Sequence, residues 1–238
     1  MDSIKILLIG DEPNILRTLR RNLVGRGYEV SIALDNTEAD EIALKIKPDL
    51  FVLDLDFNDP QVNGLDICTN LRNISQSPLI VLSSIEIENI KIQALDQGAD
   101  DFVVMPFSME EFLARVRSAL RRWMAYREAK QDDAGQVILH GDLLIEVDSH
   151  QLSVHGKPVR LTPKEYEVLL YLAQRKGKVI THRELLRSVW GGQYGDEREY
   201  LRVFISQLRH KIEDNPMRPV YILTEPGIGY RFAPDSSN

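Results

Sequence analysis

The first 124 residues alternate short apolar runs with amphipathic stretches, and this alternation limits the possible folds more than any other feature. Five apolar runs have the length of strands; they lie at 4–9, 28–33, 49–54, 78–83 and 102–105. The intervening segments, near 13–25, 36–46, 64–73, 86–97 and 108–122, have helical spacing. Runs this apolar are typical of parallel strands covered on both faces. Five strand–helix repeats therefore predict an α/β domain with a doubly wound parallel sheet of flavodoxin-like order.

The pattern changes in the second half of the chain. Short strand-like segments at 137–139, 143–147 and 151–154 are separated by polar turns. Thr162, Pro163 and Glu165 predict a helix start, as N-cap, first helical residue and capping-box acid. Thr181 and Glu184 predict a second start, and a longer helix is expected from about 197 to 213. Together with a strand–turn–strand hairpin at 221–232, these elements predict an α+β winged-helix domain.

The residues between these two patterns indicate a linker. Residues 125–135 contain few large apolar side chains, although they can extend the preceding helix for a turn or two before Gly135. We therefore divide the chain into a first domain at 1–124, a linker at 125–136 and a second domain at 137–236.

Composition and charge exclude several classes. The net charge of -7 is concentrated in residues 1–124, which have 13 Lys and Arg against 20 Asp and Glu, whereas residues 136–238 have 14 against 13. Nucleic-acid binding by the second domain must therefore come from locally placed cations. Cys68 is the only cysteine, which excludes an intrachain disulfide. With no secretory signal pattern and no membrane-spanning stretch, we expect a cytoplasmic protein without membrane association.

Acidic residues lie at the expected strand ends of the first domain. Asp11 and Glu12 follow the first strand, and Asp54 ends the third. In a sheet of this order the two strands are neighbours, so Asp11 and Asp54 should face each other. Paired carboxylates suit Mg²⁺, and one of them could be a nucleophile toward a phosphoryl group. The alternative interpretation is that acids are simply common in loops after strands.

Five segments of the first domain carry a family resemblance: Ile9-Gly10-Asp11-Glu12, Val52-Leu53-Asp54-Leu55, Val81-Leu82-Ser83-Ser84, Gly98-Ala99-Asp100-Asp101-Phe102 and Met105-Pro106-Phe107. Over its whole length the domain resembles the receiver domain of two-component response regulators. The second domain resembles the winged-helix effector of the OmpR/PhoB subfamily, and within it the regulators of Kdp-type potassium transport. Val189-Trp190-Gly191, Tyr200-Leu201-Arg202-Val203 and 224–231 carry that resemblance.

The resemblance to receivers implies roles for five residues. Asp54 would be phosphorylated by a partner histidine kinase. Mg²⁺ would be held by Asp11, Asp54 and the backbone carbonyl of Asp56. Ser83 would supply the hydroxyl that follows the phosphoryl group, and Phe102 would be the aromatic switch. The chain is accordingly expected to be a transcription regulator of a two-component (phosphorelay) system and not an enzyme.

Two positions depart from the family pattern. Gly10 stands where the family has an acid, and Met105 stands where it has a lysine. The stretch 56–63 is also longer than usual. Loss of the lysine removes a charge-assisted hydrogen bond worth roughly 1.5–3 kcal/mol, and loss of the acid weakens the hold on Mg²⁺. Partial replacement of the acid by the side chain of Glu12 or Asp56 is the less favoured alternative. We therefore expect an atypical receiver whose output depends weakly, or not at all, on phosphorylation.

The last helices of the first domain carry charges of alternating sign. A solvated face explains such a pattern in many proteins. In the subfamily that the chain resembles, however, this face forms a two-fold homodimer, with pairs of the Lys91–Glu111 and Asp101–Arg115 kind. The residues expected at that interface are Lys91, Asp96, Asp100, Asp101, Glu111, Arg115 and Arg122.

The helix at 197–213 is the candidate reader of double-stranded DNA. Leu201, Ile205, Leu208 and Ile212 form one apolar stripe, and we predict that this stripe is buried. A second face would contact bases, with one apolar residue suited to a thymine methyl group. The residues expected at DNA are Arg202, Val203, Ser206, Gln207 and His210 on that face, Arg198 and Arg209 at its flanks, Arg183 and Arg187 on the preceding helix, and Thr224 and Arg231 in the wing.

Further partners follow from the resemblance. The subfamily binds direct-repeat half-sites as a dimer, and the loop at 190–197 would meet RNA polymerase. Two alternatives stay open for the first domain. One is a phosphorylation-independent module controlled by protein docking. The other is a small enzyme or nucleotide binder, which is disfavoured because acids, not a glycine-rich loop, follow the first strand.

Overall fold

The computed structural model of the protein describes residues 3–59, 61–85, 88–129, 136–192, 194–195 and 197–234. Contacts divide the chain into two compact units, Met1–Trp123 and Met124–Asn238. None of the helices in these described segments is long and apolar enough to span a membrane.

The first unit is built on one parallel sheet. Its strands are β1 (Lys5–Ile9), β2 (Glu29–Ala33), β3 (Leu50–Asp54), β4 (Leu79–Ser83) and β5 (Asp101–Val104). They are arranged in the order β2-β1-β3-β4-β5, and every neighbouring pair is parallel. This is the flavodoxin-like order, which confirms the predicted fold class. The connecting helices are α1 (Pro13–Val24), α2 (Asn36–Ile46), α3 (Gly64–Ile74), α4 (Glu88–Asp96) and α5 (Met109–Ala129).

Burial explains why the central strands are so apolar. All residues of β3 and β4 are buried, and so are four of the five in β1. One core cluster joins these strands to α1 and α5 and includes Leu8, Leu19, Val52, Leu82 and Phe112. Because β3 lies between β1 and β4, its carboxyl end opens between theirs, and that edge holds the acidic residues.

In its described residues the second unit contains the end of α5, two antiparallel sheets and three further helices. The strands β6 (Val137–His140), β7 (Leu143–Glu146), β8 (Gln151–Val154) and β9 (Lys157–Pro158) form one sheet in chain order. The helices are α6 (Pro163–Ala173), α7 (His182–Val189) and α8 (Arg198–Ile212). The second sheet has the order β10-β12-β11, made of β10 (Val179–Thr181), β11 (Ile222–Glu225) and β12 (Gly229–Phe232). Helices α6–α8 followed by this hairpin form the expected winged helix.

Local capping fixes where α6 and α7 begin. The Thr162 hydroxyl accepts a hydrogen bond from the Glu165 backbone, and the Glu165 carboxylate accepts one from the Thr162 backbone. The predicted capping box at α6 is therefore confirmed. Thr181 caps α7 by accepting from the Glu184 backbone, but the carboxylate of Glu184 accepts from the Tyr171 hydroxyl instead.

Helix α5 continues to Ala129 and so extends into the expected linker by a little more than one turn, as residues 125–135 allowed; no Gly or Pro interrupts it. Of the expected linker at 125–136, residues 130–135 lie outside the described residues. The short strand β10 was not predicted. It pairs with β12 so closely that a Cβ at Gly229 would lie 1.9 Å from the Ile180 carbonyl oxygen, which explains the glycine.

Candidate functional site

Asp54 lies at the buried end of β3. Only 5% of the residue is exposed. Its Oδ1 accepts a hydrogen bond of 3.0 Å from the Asp56 backbone N–H. Burial raises the pKa of Asp54 to about 6; the Asp56 N–H opposes this rise, and the charges of Asp56, Asp11 and Glu12 add to it. The carboxylate therefore loses stabilisation by water, and the charges that act on it most strongly are negative.

Asp11 lies at the end of β1 and is held by Asn58. Its two carboxylate oxygens accept from the Asn58 backbone N–H at 2.7 Å and from the Asn58 side-chain amide at 3.1 Å. Asn58 belongs to the stretch 56–63, so this loop holds the Asp11 carboxylate. The contact between Asn58 and Asp11 was not predicted from the sequence. The signal that could have indicated it is an amide side chain in the loop that follows Asp54.

The donor set fits a hard cation in chemistry. Two carboxylates, Asp11 and Asp54, and the carbonyl of Asp56 are oxygen ligands of the kind that Mg²⁺ prefers. Within the described segments, however, no three His, Cys, Asp or Glu side chains come close enough together to hold a metal ion. The carboxylate of Glu12 caps α1 by accepting a hydrogen bond from the Asn14 backbone N–H.

Gly10 is packed closely against the acceptor aspartate. A Cβ at position 10 would lie 3.0 Å from the Cβ of Asp54 and 3.7 Å from the Leu16 side chain. An acid at this position would therefore require Asp54 to shift. The glycine at position 10 therefore allows Asp54 to take the position that it has in this structure.

Met105 lines a cavity of about 660 Å³ beside Asp54. The walls are largely apolar, and the described lining includes no Lys or Arg; it consists of Glu12, Asn14, Ile15, Thr18, Leu19, Asp54, Asp56, Asn58, Ser84, Met105, Pro106, Phe107 and Met109. The backbone N–H of Met105 donates to the Ser83 carbonyl at 2.7 Å, so the end of β5 is fixed to β4. The Met105 thioether thus stands where the family pattern has the ammonium group of a lysine.

The two expected switch residues are both buried. Ser83, at the end of β4, is 0% exposed, and Phe102 in β5 is 3% exposed. The Ser83 hydroxyl donates to Oδ1 of Asp56 at 2.8 Å, and the Ser84 backbone N–H donates to Oδ2 of the same carboxylate at 2.5 Å. Both carboxylate oxygens of Asp56 therefore accept hydrogen bonds from the residues at the end of β4 and the start of the next loop.

The expected dimer face is ordered within the chain. Arg115 pairs with Asp101 at 3.1 Å and with Glu111 at 2.8 Å. Asp100 corrects the prediction, because it is 4% exposed and forms an ion pair with Arg72 beneath the surface. It is unsuited to a contact between subunits. The remaining predicted residues, Lys91, Asp96 and Arg122, are partly or fully exposed.

Helix α8 buries more of its circumference than its apolar stripe indicated. Leu201, Ile205, Leu208 and Ile212 are buried as predicted. Val203 is also buried, at 5% exposed, so its expected contact with a thymine methyl group is wrong. The exposed face follows a spacing of four residues and consists of Arg198, Arg202, Ser206 and His210, with Gln207 half-buried beside it.

Arg209 anchors the hairpin to α8. Its guanidinium donates to the Ile222 carbonyl at 2.7 and 3.1 Å and to the Thr224 hydroxyl at 2.8 Å. These bonds give Arg209 a structural task in place of the expected phosphate contact. Arg231 pairs with Glu225 at 2.5 Å across the hairpin. This ion pair competes with the contact to the DNA backbone that was expected of Arg231.

Cations of α7 lie near the loop that precedes α8. Arg183 and Arg187 are exposed, and both lie beside Gly195 in the loop before α8. His182 is the first residue of α7, and its ring packs edge-on against the ring of Tyr230, with centroids 5.5 Å apart. This contact was not predicted from the sequence. Burial lowers the pKa of His182, and the charges of Arg198 and Arg202 lower it further. The sequence signal that was available for His182 is its position directly after the N-cap residue, Thr181.

Comparison with known families matches both units. Residues 6–117 match the model described as the response regulator receiver domain. Residues 156–232 match the model described as the C-terminal domain of transcriptional regulatory proteins.

Curated relatives and solved structures agree with these matches. The transcriptional regulatory protein KdpE of Mycobacterium tuberculosis strain H37Rv is 44% identical over 227 residues, covering 95% of this chain and 98% of the relative. The alkaline phosphatase synthesis transcriptional regulatory protein PhoP of Bacillus subtilis is 39% identical, covering 98% of each. A solved cysteine-to-serine mutant of RitR is 25% identical, covers 98% of this chain and 100% of its own, and has a TM-score of 0.74.

Proposed function

Since this chain belongs to the OmpR/PhoB-type response regulators of two-component systems, we propose that it is a DNA-binding transcription regulator whose receiver responds weakly to phosphorylation. The family implies two partners, double-stranded DNA and a histidine kinase. The weak response is the part that this chain's own residues support.

The observation that carries the proposal is Met105 in the cavity beside Asp54. Phosphorylation replaces the single negative charge of the Asp54 carboxylate with the roughly two negative charges of an acyl phosphate, in a buried site that already contains Asp11 and Asp56. A lysine would compensate those charges and would link them to the end of β5. A thioether is a weak acceptor with no charge, so phosphorylation gains neither the ion pair nor the link.

Mg²⁺ would be held by Asp11, Asp54 and the carbonyl of Asp56. When bound, the ion would offset the negative charge of the site. In this chain Asp11 also accepts two hydrogen bonds from Asn58, so the ion would share the Asp11 carboxylate with that residue. With Gly10 in place of an acid, we expect a weaker hold on the ion than in receivers with three acids.

A lysine substitution tests the proposal directly. The full chain, Met105→Lys and Met109→Lys are incubated with acetyl phosphate and Mg²⁺, and intact mass gives the phosphorylated fraction. We expect a low fraction in the wild type and a clear rise in Met105→Lys. Met109→Lys is the matched control, because Met109 lines the same cavity from the first turn of α5. Full phosphorylation of the wild type with tightened dimerisation contradicts the proposal.

For DNA we propose that α8 lies in the major groove. Arg202, Ser206, Gln207 and His210 supply the base-reading face, and Arg183, Arg187 and Arg198 contact phosphates. The exposure of these side chains supports this assignment. Thr224 and Arg231 are assigned to the wing, and Arg209 supports it from beneath.

Assembly completes the proposal. A homodimer through α4, β5 and α5 would place two winged helices on direct-repeat half-sites, with the loop at 190–197 facing RNA polymerase. Lys91, Asp96, Asp101, Glu111, Arg115 and Arg122 are the proposed contacts. The intrachain pairs of Arg115 support a preformed surface, because they hold its charges in place before a second subunit arrives.

A further inference from the structure

The carboxylate of Asp56 occupies the two donors that begin the loop after β4. The Ser83 hydroxyl donates to one oxygen and the Ser84 backbone N–H donates to the other. The Ile85 N–H in turn donates to the Ser83 hydroxyl at 3.1 Å. The conformation of Ser83, Ser84 and Ile85 is thus connected by hydrogen bonds to a single acidic side chain.

Asp56 and Asp54 open toward the same edge of the sheet. They stand two residues apart at the end of β3, and the Asp56 N–H bonds the Asp54 carboxylate. A phosphoryl group on Asp54 would present oxygen acceptors to the hydroxyl of Ser83, which the receiver pattern makes its partner. A carboxylate with one oxygen on an O–H and the other on an N–H presents acceptors of the same kind and charge sign.

We propose that Asp56 is a built-in substitute for the phosphoryl group, a positioning residue that holds Ser83 and Ser84 as phosphorylation of Asp54 otherwise would. The inference rests on the proposed function and deepens it. It gives the weak response a second cause besides Met105: the donors are already occupied, and an incoming phosphoryl group must displace a negatively charged competitor.

The two causes make different predictions for variants. Met105→Lys adds a cation but leaves Asp56 on the donors. Asp56→Ala releases Ser83 and Ser84 without adding any charge. Asp56→Asn keeps the shape of the side chain, yet it replaces one acceptor oxygen with an NH₂ group that cannot accept a hydrogen bond.

The experiment uses the full chain as wild type, Asp56→Ala and Asp56→Asn, each with and without acetyl phosphate and Mg²⁺. Sedimentation velocity gives the dimer dissociation constant, and intact mass gives the phosphorylated fraction. Without acetyl phosphate, we expect both variants to dimerise about tenfold more weakly than the wild type, within the usual range of allosteric coupling. With it, we expect Asp56→Ala to be phosphorylated more fully and to recover part of its dimerisation, because a phosphoryl group can then accept from the Ser83 hydroxyl although Met105 supplies no ion pair.

Two results would overturn this role of Asp56. One is unchanged dimerisation in both variants without acetyl phosphate. The other is weakened dimerisation that phosphorylation does not restore, as expected if Asp56 only stabilises the fold. Failure of the proposed function is visible separately, because the wild type itself would then become phosphorylated and dimerise more tightly on acetyl phosphate.

Discussion

The backbone N–H of Asp56 donates a 3.0 Å hydrogen bond to Asp54, while the Asp56 side chain turns away to the hydroxyl of Ser83, 2.8 Å from it. One residue therefore contacts both the acceptor aspartate and the first switch residue. Asp54 itself is buried among negative charges, which should lower the free energy of unfolding when its carboxylate is ionised.

Replacing Asp54 with asparagine should stabilise the protein at neutral pH. Burial raises the pKa of Asp54 from 3.8 to about 6, so the folded state binds more protons than the unfolded state between these values. Stability from this group is therefore lost as pH rises through that window. In EDTA at pH 7.5, we expect urea denaturation to give Asp54→Asn a free energy of unfolding higher than that of the wild type by up to about 3 kcal/mol. Near pH 4 the two proteins should have the same free energy of unfolding. Glu41→Gln, on the exposed face of α2, should shift neither value.

Asp100 and Asp96 should separate stability from dimerisation. Asp100 is buried against Arg72, so Asp100→Asn leaves an uncompensated guanidinium and should reduce the unfolding free energy by about 3 kcal/mol or more. Asp96→Asn changes a more exposed residue and should affect sedimentation of the dimer without a comparable loss of stability. Equal stability losses in both variants would contradict this division.

Substitutions of Arg209 and Arg202 should separate the stability of the second unit from its binding to DNA. Arg209→Ala removes the hydrogen bonds to Ile222 and Thr224 and should reduce the unfolding free energy by about 2 kcal/mol. Arg202→Ala should leave stability unchanged but weaken binding or change sequence preference in a footprint. Gln207→Ala provides the comparison for base readout, since it should alter preference with little change in the salt dependence of affinity. A stable Arg209→Ala with lower salt dependence would instead support a direct phosphate contact.

Gly229→Ala should disrupt the wing. The added Cβ meets the Ile180 carbonyl at 1.9 Å, so β10 must separate from β12. We expect a stability loss of about 3 kcal/mol and weaker binding to every DNA sequence. Gly192→Ala is the control, because nothing described lies within 4 Å of its Cβ position. Wild-type melting of Gly229→Ala would show that the two strands separate at little cost.

Local signals explain why the elements were predictable. The capping box of Thr162 and Glu165 needs only residues three positions apart, and the parallel strands are marked by their own apolar composition. Both halves of the fold and the acidic edge therefore followed from the sequence.

Long-range packing explains the errors. Asp100 looked like part of a charged surface because its partner, Arg72, comes from a different helix. Val203 looked exposed because helical spacing cannot tell how wide an arc of α8 the neighbouring elements cover. The task of Arg209 depends on where the hairpin docks, and that position is not encoded in the helix itself.

The most direct test of the account is the dimer dissociation constant of the wild-type chain with and without acetyl phosphate and Mg²⁺, with intact mass measured on the same samples. The account predicts a low phosphorylated fraction and a change in the constant smaller than about fivefold, the lower end of allosteric coupling. Stoichiometric phosphorylation of Asp54 accompanied by a larger tightening of the dimer would contradict it.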